Sequence, residues 1–534
     1  MAVVWIVTTG NSDVVMSSKD DWEDLRREKR LGQVYDQFKV SPLPKNNNDE
    51  ETLFALPARA LGTFYEDALD DDYYWETLRF PLLQGFVAKL KDKSVQLTHI
   101  IVLLTDQKNI FDARKVTSSS PFWQDTCKLE PVFRKYFGEQ KDFQSIEVKF
   151  DCLSPEKDQV GLDDWNATLT LVQKKFADLA INPDDTVIVS HQAGTPAISS
   201  AVQFASLSRF GSNVRFLTSN ERTGVASLDP SSSYFESMQI EQAKKFLDNY
   251  DYVSVLSVLK GKLERLKEQN LDQADKIHKL LDVAKSWNLS KFDEFEIKMR
   301  DLPLEDLQDL AVARFGESWA WWIAYEEAYL GIIRRKQGNI VEAFFHSFRA
   351  FEGIFAEWGN KIFKGNENIV KQKDIPCLKN DILESDYKKY LAGSDLKPLR
   401  EELSTEGILK LELMTLCKIF KKNRSDYKPA KCPDITIFWD NNEKEERISV
   451  ASRRNFVFHQ VQGMEETQLM DFWRVDTLKK IEEQIEDWEE KLRRFLNFIA
   501  DEKDFETWED ASLMARVHKE LVKEIDEIAN IPNS

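Results

Sequence analysis

Short apolar, β-branched runs that stop after about residue 220 constrain this chain more than any other feature. They are residues 2–8 (AVVWIVT), 98–105 (THIIVLLT), 144–150 (QSIEVKF), 186–190 (TVIVS) and 213–218 (NVRFLT). Helical periodicity fills the intervals: Leu169, Val172, Phe176 and Leu179 recur every three to four residues, and Ile198, Val202 and Phe204 lie near one face with Ala201 beside them. Fully apolar short strands alternating with amphipathic helices specify a mostly parallel sheet covered on both faces. After about residue 235 the strand signal nearly ends, and helical patterns occupy 237–262, 272–288, 302–335, 339–360, 404–422, 448–462, 471–500 and 507–530. In 471–500 the rhythm runs through Phe472, Val475, Leu478, Ile481, Ile485, Trp488, Leu492 and Phe495. The expected fold class is therefore α/β plus all-α, with an α/β domain at 1–235, a helical linker region at 236–330 and a helical domain at 331–534. Polar, turn-rich segments at 41–50, 107–123, 362–378 and 423–446 interrupt the pattern, and no internal repeat marks a solenoid.

With 42% hydrophobic residues, 34 Phe and 14 Trp among 534 positions, the chain can bury sizeable cores. A formal charge of -19 argues against a protein that coats nucleic acid non-specifically, while leaving room for a small basic cleft. The five Cys are scattered without a CxxC pair, which favours a reducing compartment over a zinc ribbon. The opening residues MAVVWIVTTGNSD lack a basic region and read as a buried strand. No stretch approaches 18 apolar residues. A cytoplasmic protein without a membrane span is expected.

In an open parallel sheet, ligands sit beyond the C-terminal strand ends. Thr9-Gly10-Asn11-Ser12-Asp13 follows the first strand; Gly10 permits close backbone approach, and the hydroxyls and amide offer neutral hydrogen bonds. Gly194-Thr195-Pro196 precedes a helix, with Pro196 suited to its first turn and Thr195 able to cap it or donate to a phosphate. Neither loop is a GxGxxG or Walker A sequence, so a dinucleotide cofactor or ATP hydrolysis is not expected. Both loops also read as ordinary helix-capping turns. Arg222 could add charge to this rim, and His191 could face a ligand or simply finish its strand. His99 and His278 read as surface or core residues. Glu147-Val148-Lys149 has an ExK form with Asp151 nearby, a weak match to metal-dependent nucleases that lacks a placed upstream Asp.

The segment Ser452-Arg453-Arg454-Asn455-Phe456-Val457-Phe458-His459-Gln460 opens an apolar-rich helix. Arg454 and His459 are separated by about 140° on an ideal helix, so they converge only through long side chains, an imperfect first turn, or two copies meeting at a two-fold axis. Their chemistry suits RNA cleavage. The 2′-OH is a built-in nucleophile, a His can move its proton or protonate the leaving oxygen, and Arg can hold the phosphate as charge builds. Asn455 can bind a phosphate oxygen or orient the His, and no metal is required. The same residues also read as structural. Arg453 is expected at a phosphate rim or in solvent, His346 packed or interfacial, and His518 on a solvent face of the last helix.

Taken together, the pattern resembles the CRISPR-associated CARF–HEPN ribonucleases of type III systems, which implies a Rossmann-like CARF domain followed by a helical HEPN domain. Arg454-Asn455-Phe456-Val457-Phe458-His459 is similar to the family's Arg-polar-His motif, Thr8-Thr9-Gly10-Asn11-Ser12-Asp13 to the first CARF loop, and Gly194-Thr195-Pro196 to the second. The resemblance implies a cyclic-oligoadenylate activator held by Thr9, Gly10, Asn11, Ser12, Gly194, Thr195 and Pro196. It further implies a homodimer with a composite HEPN cleft, and metal-independent cleavage of single-stranded RNA in antiviral defence by Arg454, His459 and Asn455. The specific motifs span only about twenty residues, and residues 41–50 and 236–330 match no family motif. Two other readings stay open: a non-catalytic, ligand-responsive dimeric scaffold, and a metal-dependent DNA nuclease using Glu147 and Lys149.

Overall fold

A computed structural model describes residues 2–28, 38, 40–43, 52–111, 117–157, 159–182, 184–220, 225–229, 233–317, 320–364, 367–372, 375–424, 450, 454, 457, 463–500 and 503–529. The chain divides into two compact units, Met1–Met238 and Gln239–Ser534. A mixed α/β region with several sheets is followed by a long helical one.

The first unit carries strands β1 (Val3–Thr8), β2 (Val15–Met16), β3 (Ser41–Pro42), β4 (Phe54–Ala55), β5 (Leu78–Arg79), β6 (His99–Thr105), β7 (Glu147–Leu153), β8 (Thr186–Ser190), β9 (Val214–Ser219) and β10 (Ala226–Asp229). Its helices are α1 (Asp20–Glu28), α2 (Ala58–Tyr65), α3 (Asp72–Thr77), α4 (Pro81–Asp92), α5 (Pro121–Gln124), α6 (Glu130–Glu139), α7 (Trp165–Asp178) and α8 (Pro196–Phe210). The main sheet runs β10-β9-β8-β1-β6-β7. It is parallel except for β10, which returns antiparallel along β9. Register pairs Trp5 with Ile100 on one side and with Ile188 on the other.

Because side chains alternate across a strand, β1 feeds two cores. Trp5 and Val7 pack with α2, α4 and α6, whereas Val4 and Ile6 pack with α7 and α8. This is why the central runs carry no polar alternation: both faces are covered. The third strand begins at Glu147 rather than 144 and extends through Leu153, whose partner is Thr105. A separate small sheet, β3-β4-β2-β5, uses strands too short to leave a sequence signal.

A helix α9 (Ser233–Asp248) carries the chain into the second unit. There follow α10 (Tyr252–Gln269), α11 (Leu271–Asn288), α12 (Phe292–Met299), α13 (Glu305–Phe315), α14 (Trp322–Lys336), α15 (Ile340–Phe363), α16 (Lys397–Glu406), α17 (Leu413–Asn423), α18 (Glu466–Phe472), α19 (Ile481–Ala500), α20 (Trp508–Ala511) and α21 (Leu513–Ala529). One hydrophobic core runs from Ile240 to Ile528. Glu326 of α14 is fully buried and accepts from Trp287 Nε1 (3.0 Å), Ser512 Oγ (2.7 Å), Leu513 N (2.6 Å) and Met514 N (3.4 Å). This carboxylate occupies the N-terminus of α21, where backbone donors are otherwise orphaned.

Several long periodic segments are broken. Residues 237–262 divide at Tyr250, whose φ is 57°. Residues 302–335 form two helices, and 404–422 are cut at Gly407 (φ 75°), after which three residues pair as a strand. That strand, β13 (Ile408–Lys410), joins β11 (Ile369–Gln372) and β12 (Ile375–Lys379) in a small antiparallel sheet inside the helical unit. Residues 471–500 are interrupted at Arg474 (φ 50°), and Leu478, which fits the apolar rhythm, is 94% exposed. His518 does not face solvent as expected: it stacks on Tyr250 at 4.2 Å and lies 3.2 Å from the Tyr252 hydroxyl. Among the described residues no helix is long and apolar enough to cross a membrane.

Candidate functional site

Sheet order reverses between β1 and β8, since the chain builds outward through β6 and β7 on one side and then through β8 and β9 on the other. A doubly wound sheet splays open at such a point and leaves a crevice beyond its strand ends. A cavity of about 550 Å³ lies there, lined by Thr9–Asp13 after β1, Thr105 at the end of β6 and Gln107 just beyond it, Gln192–Thr195 after β8, and Ser219 at the end of β9. Leu82, Pro121, Leu162 and Ile198 add apolar wall. Thr9, Gly10, Asn11, Ser12, Gly194 and Thr195 are thus brought together around one space. Pro196, the first residue of α8, is not among the lining residues. Among the described lining residues none is Lys or Arg, and Thr195 and Ile198 bring the N-terminus of α8, with its partial positive charge, to the wall.

The two loops hold one another. A Cβ on Gly10 would lie 2.7 Å from the Gly194 backbone nitrogen, and Gly194 has a φ of 97°. Gly10 therefore serves backbone-to-backbone contact within the protein, and Gly194 supplies a conformation that other residues rarely adopt. Two hydroxyls expected to face a ligand are committed inward. Thr9 Oγ1 donates to the Leu103 carbonyl (2.8 Å) and lies 2.7 Å from Thr126 Oγ1. Thr195 Oγ1 donates to the Leu162 carbonyl (2.8 Å) and accepts from Ile198 N (3.2 Å), capping α8. Asn11 Oδ1 accepts from Ala58 N at 2.7 Å. His191 turns aside to Ser199 Oγ (3.0 Å) and the Phe216 ring, and burial lowers its pKa.

Asp13 was legible only as part of a turn. It is 2% exposed; Oδ2 accepts from Gly10 N at 2.7 Å, while Oδ1 is buried without a hydrogen-bond partner. Burial raises its pKa to about 7, with only the Gly10 bond opposing. Beside it stands a network that sequence reasoning missed. Arg59 donates to Asp106 (2.7 Å), Asp125 (2.8 Å) and the Phe122 carbonyl (2.8 Å), and Gln107 bonds Asp125 through both backbone and side chain. Burial pushes Asp125 up despite Gln107 and Arg59, whereas at Asp106 the same penalty is outweighed by Arg59 and Lys108, and its pKa falls. This network fixes the loop after β6 and with it the cavity floor.

The second candidate region lies in the helical unit. Asn455 and His459 fall outside the described residues, as do Arg222, Arg453 and positions 44–50. Val450, Arg454 and Val457 are helical. Val450 and Val457 are buried, and Arg454 is half-buried. The Arg454 guanidinium lies 3.8 Å from Glu352 Oε2 and 5.3 Å from the Phe348 ring centroid, both on α15. Burial raises the Glu352 pKa, with Arg454 and Arg349 opposing. On α14, Glu327 Oε1 lies 2.9 Å from both His346 Nδ1 and Arg349 Nη1 of α15.

Glu147 is exposed, 3.9 Å from His99 Nε2, while Asp151 is tied to Lys175 at 2.7 Å. Among the described residues there is no group of three or more His, Cys, Asp or Glu that could hold a metal ion. His278 is exposed.

No family model and no curated protein sequence matches this chain. A solved structure does: Enterococcus italicus Csm6 bound to cyclic hexa-2'-fluoro-hexa-dAMP, at a TM-score of 0.55 and 12% identity, covering 98% of this chain and 100% of that one. The likeness establishes a shared fold along the whole length.

Proposed function

We propose that this chain is a cyclic-oligoadenylate-activated, metal-independent endoribonuclease that cleaves single-stranded RNA in antiviral defence. It acts as a cytoplasmic homodimer, with a sensing domain at 1–235, a helical linker region at 236–330 and a HEPN-like domain at 331–534. The observation that carries this reading is a full-length fold likeness to a protein solved with a cyclic hexanucleotide, in a chain that places a cavity of about 550 Å³ at the sheet's switch point. The CARF–HEPN resemblance of the Arg454–His459 motif supplies the rest.

In this reading the activator lies against Thr9, Gly10, Asn11, Ser12, Gly194, Thr195 and Pro196. The positive end of the α8 dipole faces its phosphates, and Asn11 and Ser12 meet its ribose or base. In the helical domain Arg454 holds the scissile phosphate and His459 moves the 2′-OH proton or protonates the leaving oxygen. Asn455 steadies the phosphate or the imidazole. Glu352 keeps Arg454 in place until substrate arrives. A ligand that binds better when two sensing domains meet in one arrangement biases how the helical domains meet.

The test is labelled single-stranded RNA incubated in EDTA with cyclic tri-, tetra- or hexa-adenylate at equal concentration. One ring size is expected to switch on cleavage. Binding of a ring without RNA loss at any size would favour the scaffold reading.

A further inference from the structure

A second pocket, of about 320 Å³, opens between α14 and α15 within the helical unit, at the small end of the roughly 300–1,000 Å³ range of ligand sites. It adjoins Arg454 directly, because Glu352, which lies 3.8 Å from that guanidinium, is part of its wall. Its composition is unusual for a gap between helices. Glu327, with a side chain only 4% exposed, gives Oε1 to His346 and Arg349, but its Oε2 has no hydrogen-bond partner. A buried acceptor left unpaired is costly unless something fills it. Glu352 and Glu357 add further acceptors, Ile323 and Ala324 form an apolar side, and Arg349 is exposed at the edge.

We propose that this pocket reads a base of the RNA next to the cleaved bond, accepting bases that offer amino hydrogens (adenine, cytosine, guanine) and rejecting uracil. The inference rests on the ribonuclease reading above. Carboxylates on the wall repel phosphate, so the backbone stays outside with Arg349 and Arg454. What suits an acceptor-rich, half-apolar pocket is a flat ring with an exocyclic NH₂ on its edge. Single-stranded RNA is read in this way, by splayed bases bonded along their Watson–Crick edges. Uracil has no amino group: its single N3–H is flanked by two carbonyl oxygens, which a carboxylate approaching that proton must face.

Two variants test it. Gly353 is exposed on α15 at the pocket, and a Cβ built there meets no heavy atom within 4 Å. Gly353→Leu therefore fills the space while improving helix propensity. Glu327→Gln keeps the shape but exchanges an acceptor for a donor.

Binding of 2′-O-methyl oligo(A), oligo(C) and oligo(U), which lack the nucleophile, is measured by fluorescence anisotropy. Cut sites are mapped on mixed-sequence RNA. Wild type is expected to disfavour uracil by about 10- to 100-fold, the worth of a hydrogen bond to a charged group, and both variants are expected to reduce this below about 3-fold. A wild type indifferent to uracil, or a preference that survives Gly353→Leu, overturns the proposal. Base-selective binding without cleavage would remove the ribonuclease reading and leave the pocket assignment standing. Cleavage without base selectivity would do the reverse.

Discussion

Replacing Asp13 by Asn should make the first unit more stable at pH 8 and leave it unchanged near pH 4. The carboxyl group is 2% exposed and titrates at about 7, against 3.8 for an ordinary Asp. Between those values the folded protein holds a proton that the unfolded chain has released. Stability from this group is therefore fully present below about pH 4 and is lost as pH rises toward about 7. At 1.36 kcal/mol per unit the interval amounts to about 4 kcal/mol, or a shift of about 8–16 °C in the midpoint of a unit of this size. The substituted amide retains an oxygen for the Gly10 N–H and cannot ionise. The assay is thermal unfolding of wild type and Asp13→Asn at pH 4, 5, 6, 7 and 8, following the first unit's transition. Wild type should lose stability across this range while the variant stays level. Parallel profiles, or a variant weaker than wild type at pH 8, would refute the reasoning. An anionic ligand in the cavity should also bind less tightly to wild type above pH 7, and Asp13→Asn should remove that dependence.

Gly10→Ala drives a Cβ to 2.7 Å from the Gly194 nitrogen; a destabilisation of about 1–3 kcal/mol and weaker activator binding are expected, and an unchanged urea midpoint would contradict the close approach. His518 has a pKa lowered to about 4 by burial, with Lys336 adding to the effect. The helical unit should therefore lose up to about 3 kcal/mol as pH falls from about 6.5 to 4, a loss that His518→Gln abolishes in denaturant titrations. Glu352→Ala frees the Arg454 guanidinium from its carboxylate, so RNA cleavage is expected to fall by about 10-fold in kcat with activator affinity intact; equal rates would remove Glu352 as a positioning residue.

The strands of the main sheet could be read from the sequence because each is a short apolar run bounded by polar turns, and burial on both faces leaves no competing pattern. Loops that follow β1 and β8 could be placed at the cavity for the same reason: sheet topology decides where strand ends gather. What they do there could not be read. Thr9 and Thr195 look like ligand donors in sequence, yet their hydroxyls satisfy carbonyls at Leu103 and Leu162, which are distant along the chain. Arg59, Asp106 and Asp125 come together across 47 and 66 positions, beyond any local spacing rule. In the helical unit, periodicity identified helices but not their breaks. At Tyr250 and Arg474 a non-glycine residue adopts positive φ, a conformation that propensity disfavours and tertiary packing imposes. Asp13 hid in a turn because its importance comes from burial.

The central claim, that Arg454 and His459 act on one phosphodiester, is tested most directly by mass spectrometry of RNA products formed in EDTA with the activating ring. Wild type should leave 2′,3′-cyclic phosphate or 3′-phosphate ends, and His459→Ala should leave the RNA intact while still binding activator. Products ending in 3′-hydroxyl, or normal cutting by His459→Ala, would contradict the account.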